Sequence, residues 1–161
     1  MTRLLGLNRA TIGALVDELV SRGQVQEQPE MERAARGRPS KVVATRPDLC
    51  RVLAIQVGVD SVEVALMGLG GVTLGRRRVA ITHTDDRTVE QVLRTATRLS
   101  KAVLNQSPGD IVGVGVAVPG SVSPHDGVVH SAPNLGWREV QLSALLEERL
   151  GVGQVVRIGM R

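Results

Sequence analysis

At 161 residues the chain has room for one ordinary domain, or for a small unit plus part of a larger one. Hydrophobic residues make up 42% and aromatics 1%, so a core must be built from Val, Leu, Ile and Ala; the single cysteine excludes an internal disulfide and any cysteine-only metal site. The net charge of +4 is uneven, with nine Lys/Arg against six Asp/Glu in residues 1–51 and eleven against ten in 52–161, which permits a nucleic-acid partner at the N-terminal end. No apolar run reaches the roughly 18 residues of a membrane span, and no signal peptide with a long apolar stretch is visible. The expectation is a soluble, cytoplasmic protein with no membrane partner.

In chain order, residues 3–7 read as the end of a helix stopped by Gly6. Asn8 is a good N-cap, because its side-chain oxygen can accept from an N–H that the next helical turn leaves unpaired. Over residues 9–22, Ile12, Leu15, Val16, Leu19 and Val20 recur at three- and four-residue spacing, one apolar stripe of an amphipathic helix that Gly23 closes. Arg9, Thr11, Gly13, Ala14, Asp17 and Ser21 occupy the other face. A helix, a tight turn through Gly6-Leu7-Asn8 and a second helix form a helix-turn-helix arrangement. Asn8, Arg9 and Thr11 then sit at the end of a recognition helix that touches DNA, and Gly13 lets that face approach a groove closely. The alternative is an ordinary amphipathic helix in a small bundle.

Residues 25–28 and 42–45 read as two short strands of a hairpin, a wing, on either side of a polar loop. Within that loop, Arg36-Gly37-Arg38-Pro39, with Lys41 close behind, matches the core of a minor-groove-binding hook. There glycine lets the backbone sink deep, and the flanking arginines follow the negative potential of narrow A·T-rich DNA. The competing reading is a solvated basic linker. Together these segments predict double-stranded DNA as a partner, contacted by Asn8, Arg9, Thr11, Gly13, Arg36, Gly37, Arg38 and Lys41.

Pro47-Asp48 marks a boundary between domains 1–46 and 47–161. Residues 52–57, 61–67 and 72–79 read as three strands joined by tight turns. Residues 88–104 form a helix whose buried stripe is Val89, Val92, Leu93, Ala96, Leu99, Ala102 and Val103. Residues 111–118 are apolar, β-branched and glycine-containing, which predicts a strand buried on both faces. Pro119-Gly120 turns the chain into a polar loop with Ser121, Ser123, His125 and Asp126, and residues 127–129 read as a short strand. Residues 132–137 form an ordered loop carrying Trp137, the only aromatic residue. Residues 142–150 form a short helix stopped by Gly151, and another strand starts at Val155. In open α/β sheets ligands sit beyond the carboxyl ends of strands, so a small polar ligand is expected at Pro119-Gly120 and Pro133-Asn134.

The run G-V-G-V-A-V-P-G at residues 113–120, then D-G-V-V, then A-P-N-L-G-W at 132–137, resembles the ROK family of sugar kinases and sugar-responsive repressors. Residues 4–23, L-L-G-L-N-R-A-T-I-G-A-L-V-D-E-L-V-S-R-G, resemble the second half of the repressors' winged helix, and those repressors also carry the G-R-P. The resemblance implies an α/β fold: a partial winged helix-turn-helix, then the N-terminal half of an actin-like, ribonuclease-H-like sugar-kinase domain. It implies a DNA-binding transcriptional regulator, a repressor of carbohydrate-related genes. A sugar or sugar-phosphate effector would be held by Gly58, Gly120 and Asn134, and the full-length family implies a homo-oligomer. Asn134 matches the residue lining the sugar cleft, and Trp137 is expected to pack under the loop.

Kinases of this fold carry Asp-x-Gly near the first hairpin, where a carboxylate serves the metal and phosphates. Here Gln56 precedes Val57-Gly58, and an amide cannot supply that charge. Around residues 156–161 the family's catalytic aspartate motif is not found. One cysteine with His83, His125 and His130 cannot make the family's zinc site of one His and three Cys. No catalytic residue, metal or cofactor is therefore assigned, and the chain is read as a non-enzyme. Against the family pattern it starts late and stops early, as a clipped piece would. The alternatives are a truncated, non-functional remnant and a ROK sugar kinase.

Overall fold

A computed structural model describes residues 6–29, 41–81, 88–107, 109–151 and 155–160. The chain forms two compact units, Met1–Leu49 and Cys50–Arg161. The division falls after Leu49 rather than after residue 46. Residues 46–49 form a turn that belongs to the first unit: Leu49 N donates to Arg46 O at 3.3 Å, and the Arg46 guanidinium holds Asp48 at 2.7 Å.

In the first unit, helix α1 spans Arg9–Ser21. Asn8 caps it, its side-chain oxygen accepting from Thr11 N at 2.8 Å. Gly6 and Gly23 both take left-handed φ, +65° and +68°, as glycine permits without steric cost. Gly23 N donates to Val20 O at 2.9 Å, ending the helix. Strands β1 (Val25–Pro29) and β2 (Lys41–Thr45) pair antiparallel, from Val25 opposite Thr45 to Pro29 opposite Lys41. The apolar stripe predicted for α1 is not a core face among the described residues. None of the helix is buried, and Leu15 is 45% and Val20 40% exposed. The small hairpin offers too little apolar surface to cover the stripe.

The second unit is built on five strands: β3 (Arg51–Val57), β4 (Ser61–Gly68), β5 (Thr73–Ala80), β6 (Gly113–Pro119) and β10 (Val155–Met160). They form one sheet in the order β10-β6-β3-β4-β5. β3, β4 and β5 make an antiparallel meander, while β6 runs parallel to both β3 and β10. Helix α2 (Val89–Gln106) comes after β5 and is capped by Thr88, whose hydroxyl accepts from Gln91 N at 3.3 Å. Strands β7 (Ser121–Val122), β8 (Val129–Ala132) and β9 (Trp137–Val140) make a second, antiparallel sheet. Helix α3 spans Leu142–Leu150 and stops at Gly151, φ +67°.

Register puts Leu53, Ile55, Val57, Val62, Val64, Leu66, Val114, Val116 and Val118 on one face, and all are buried. They share one core with Val92, Leu93, Ala96, Leu99 and Val103 of α2 and with Trp137. The opposite face carries Val52, Ala54, Gln56, Ala65, Gly115 and Ala117, half-buried or exposed. The prediction that β6 is buried on both faces therefore fails. The strand is continuous in apolarity, yet Gly115 and Ala117 fall on the less covered face and are half-buried. On α2, Ala102 is exposed and Ser100 buried, its hydroxyl donating to Ala96 O at 2.7 Å. That internal bond lets a hydroxyl enter the core. The predicted strand at 127–129 begins at Val129 instead, since Gly127 (φ +66°) and Val128 close a turn in which the Asp126 carboxylate accepts from Val128 N.

Candidate functional site

In the first unit, the end of α1 that presents Arg9 is locally well fixed. The Asn8 side-chain oxygen accepts from both Thr11 N and the Thr11 hydroxyl, at 2.8 and 3.0 Å. Asn8 and Thr11 thus hold the first turn, and Arg9 beside them is exposed. A Cβ at Gly13 would meet nothing within 4 Å, so this face is open. Lys41 begins β2 opposite Pro29. Arg36, Gly37 and Arg38 lie outside the described residues.

In the second unit, β3, β6 and β10 are parallel, so Gly58 and Gly120 come just after carboxyl ends at one edge of the sheet. β5 ends at the same edge, where Ile81 N donates to Asp60 O at 2.7 Å, and α2 starts beyond it. Both glycines are accounted for by local packing. Gly58 N donates to Ser61 O at 2.8 Å, and an added Cβ would lie 3.1 Å from that oxygen. A Cβ at Gly120 would collide with Ser131 O and come within 2.9 Å of the Ala132 Cβ. Gly120 is thus pressed against β8, and the side on which a sugar ring would use its missing side chain is filled.

Asn134 is differently placed. It sits in the single 3-10 turn Pro133–Leu135 between β8 and β9, which Gly136 leaves through a left-handed φ of +71°. Asn134 lines an open concavity of about 500 Å³ with Thr88, Val89, Leu135, Trp137, Arg138 and Val140. Trp137 is 4% exposed and belongs to the core, so it supports the floor of the concavity. Of the three residues predicted to hold an effector, only Asn134 reaches this concavity. Thr88 and Arg138 escape the sequence reading: a threonine reads as a helix cap and an isolated arginine as a solvated charge.

Glu90 and Glu139, next in the chain to the lining residues Val89 and Arg138, are both paired. Glu90, in the first turn of α2, takes two bonds from Arg149 at 2.6 and 3.2 Å, with Arg94 at 3.7 Å. The Arg149 hydrogen bond holds the Glu90 carboxyl below the usual glutamate range. Glu139, in a left-handed φ of +48°, faces His130 at 3.2 Å. His130 lies on β8, while His125 is exposed in the turn before that strand. Gln56 is exposed on β3, and Asp60, in the turn after that strand, accepts from the Ser61 hydroxyl and lies 3.5 Å from Arg78. No group of three or more His, Cys, Asp or Glu suited to a metal occurs among the described residues. None of the described helices is long and apolar enough to cross a membrane.

Residues 52–158, which contain the whole five-stranded sheet apart from its ends, match the model of the ROK family. The chain belongs to the ROK family. Its α/β unit has the fold of ROK actin-like domains. The xylose repressor of Caldicellulosiruptor bescii is 29% identical over 155 residues, covering 94% of this chain and 38% of that protein. The transcriptional dual regulator NagC of Escherichia coli is 21% identical over 143 residues, covering 89% of this chain and 35% of its own. This ROK chain thus spans less than two fifths of these curated relatives. Among solved structures, a ROK family transcriptional regulator homologous to the E. coli MLC protein superposes with a TM-score of 0.59 at 21% identity, over 98% of this chain and 40% of that one. A ROK glucokinase from Streptomyces griseus, in complex with glucose and AMPPNP, gives 0.60 at 22% identity over 68% and 33%.

Proposed function

We propose that this ROK chain is part of a DNA-binding transcriptional repressor of carbohydrate-related genes, released or engaged by a sugar or sugar-phosphate effector. The supporting observation is the N-terminal unit. The glucokinase superposes on 68% of the chain, close to the share taken by Cys50–Arg161, whereas the regulator superposes on 98% and so extends over Met1–Leu49 as well. Relatives that also span nearly all of this chain are sugar-linked repressors. In this reading the first unit is the latter part of a winged helix-turn-helix. α1 enters a major groove with Arg9 foremost, positioned by the Asn8–Thr11 cap, and the arm joining β1 to β2 places Arg36, Gly37, Arg38 and Lys41 against the minor groove. Asn134 meets sugar hydroxyls, since an amide offers both donor and acceptor.

The test is binding to DNA from the region upstream of the chain's own gene, read by fluorescence anisotropy across a salt titration. Arg9→Ala should weaken binding by about 1–3 kcal/mol and relax sequence preference. Arg38→Ala should weaken binding mostly where the minor groove is A·T-rich and lower the salt slope by about 1. If both variants bind as the parent does at every salt concentration, the assignment is wrong.

No phosphotransfer is assigned. Gln56 is neutral at the position where the kinase resemblance calls for a carboxylate, and the neighbouring Asp60 is engaged by Ser61 and Arg78. Sugar-dependent ATP hydrolysis by the pure chain, lost in Gly58→Val, would overturn this.

A further inference from the structure

We infer that Arg138 makes the concavity selective for an anionic effector: a phosphorylated monosaccharide in preference to its neutral parent. The inference rests on the proposed effector role of this concavity and deepens it. Arg138 is the only charged residue among the described residues lining the concavity. No described residue pairs with it. Glu139 and Glu90, each next in the chain to a residue lining the concavity, are committed elsewhere, Glu139 to His130 and Glu90 to Arg149 and Arg94. A guanidinium uncompensated among the described residues therefore faces a space of about 500 Å³, room for a six-carbon sugar with a phosphate. Guanidinium and phosphate match in geometry as well as charge, through two parallel N–H···O bonds. Asn134, which also lines the concavity, supplies neutral donor and acceptor groups suited to hydroxyls. The division of labour is specific: the amide reads the sugar and the guanidinium reads its phosphate.

The two residues are separable by experiment, because both are exposed and their replacement leaves the core untouched. Trp137, the only tryptophan, lines the concavity and reports binding by its fluorescence, with calorimetry as a second readout. The probes are glucose, N-acetylglucosamine and xylose, each beside its terminal phosphate ester, with inorganic phosphate alone. The expected result is that at least one ester binds roughly tenfold or more tightly than its parent sugar, by a margin that shrinks with added salt. Arg138→Gln should abolish the margin and leave neutral-sugar binding unchanged, while Arg138→Lys should keep part of it. Asn134→Ala should weaken ester and parent sugar by the same factor. Equal affinity for ester and parent, or a margin that survives Arg138→Gln, would overturn the role of Arg138 and leave the effector reading standing. Binding of inorganic phosphate as tight as that of every ester, or no binding by any probe, would overturn both.

Discussion

Gly120 has no room for a side chain. The position of its absent Cβ is occupied by Ser131 O and the Ala132 side chain, so Gly120→Ala must push β6 and β8 apart. The expected cost is about 1–3 kcal/mol, read as a lower urea midpoint with unchanged slope, and it should be the same with or without a sugar present. A cost that appears only in ligand affinity would mean that Gly120 serves the effector directly. Arg51 shows a different residue-level device. Its buried guanidinium donates to Ser107 O at 2.9 Å and to Asp110 O at 3.0 and 3.2 Å, closing the carboxyl end of α2. A cation there also suits the negative end of the helix dipole. Gly109, at φ +130°, is glycine because that guanidinium fills the place of its side chain.

Two carboxylate–arginine pairs tie elements together. Arg149 in the last turn of α3 grips Glu90 in the first turn of α2, and Arg76 on β5 grips Glu63 on β4 at 2.5 Å. In both glutamates the arginine hydrogen bond lowers the folded-state pKa. A lowered carboxyl pKa means that the unfolded chain binds the proton more readily. The stabilisation is therefore fully present above the unfolded glutamate value of about 4.3 and is lost as pH falls through the folded one. The prediction is a melting temperature flat from pH 7 to about 5 and falling below it. Arg76→Gln should make that fall shallower, because Glu63 is the more buried carboxylate, with 16% of its side chain exposed. An identical acid profile in that variant would deny the pair its role. Arg76, with Arg77 and Arg78, also charges the edge strand β5, which discourages pairing with another chain.

At the scale of the whole molecule, the two units differ in how much they bury. The second has a continuous aliphatic core of β3, β4, β6 and α2 residues, while α1 of the first has no buried residue. Amide exchange tracks local opening, which is cheap where little apolar surface is buried. Amides of β3, β4, β6 and α2 should exchange slowest, and those of α1 within the fastest class in the free protein. Bound to operator DNA, α1 should become protected, with little change in the central sheet. Slow exchange of α1 in the free chain would show that its apolar stripe is covered by something else.

Much of this protein was decided by local sequence. Asn8 and Thr88 cap their helices, and Gly23 and Gly151 end theirs, because capping and left-handed glycine are short-range effects. The three-strand meander, the helix after it and the return strand 113–119 were legible from β-branched runs, helical spacing and turn residues. The family resemblance was carried by the same return strand and by A-P-N-L-G-W. What required the tertiary structure was the choice of face. Periodicity marks an apolar stripe but not whether anything lies against it: the stripe of α1 is largely exposed, and Gly115 and Ala117 of β6, read as buried, are half-buried. The surroundings of the proposed effector residues were legible only in part. Asn134 could be singled out from its loop. The close contacts of Gly58 with Ser61 and of Gly120 with Ser131 and Ala132, and the presence of Arg138 beside Asn134 in the lining of one concavity, came from the fold alone. Charge neutralisation and close approach are set by residues distant in the chain, so no local pattern encodes them.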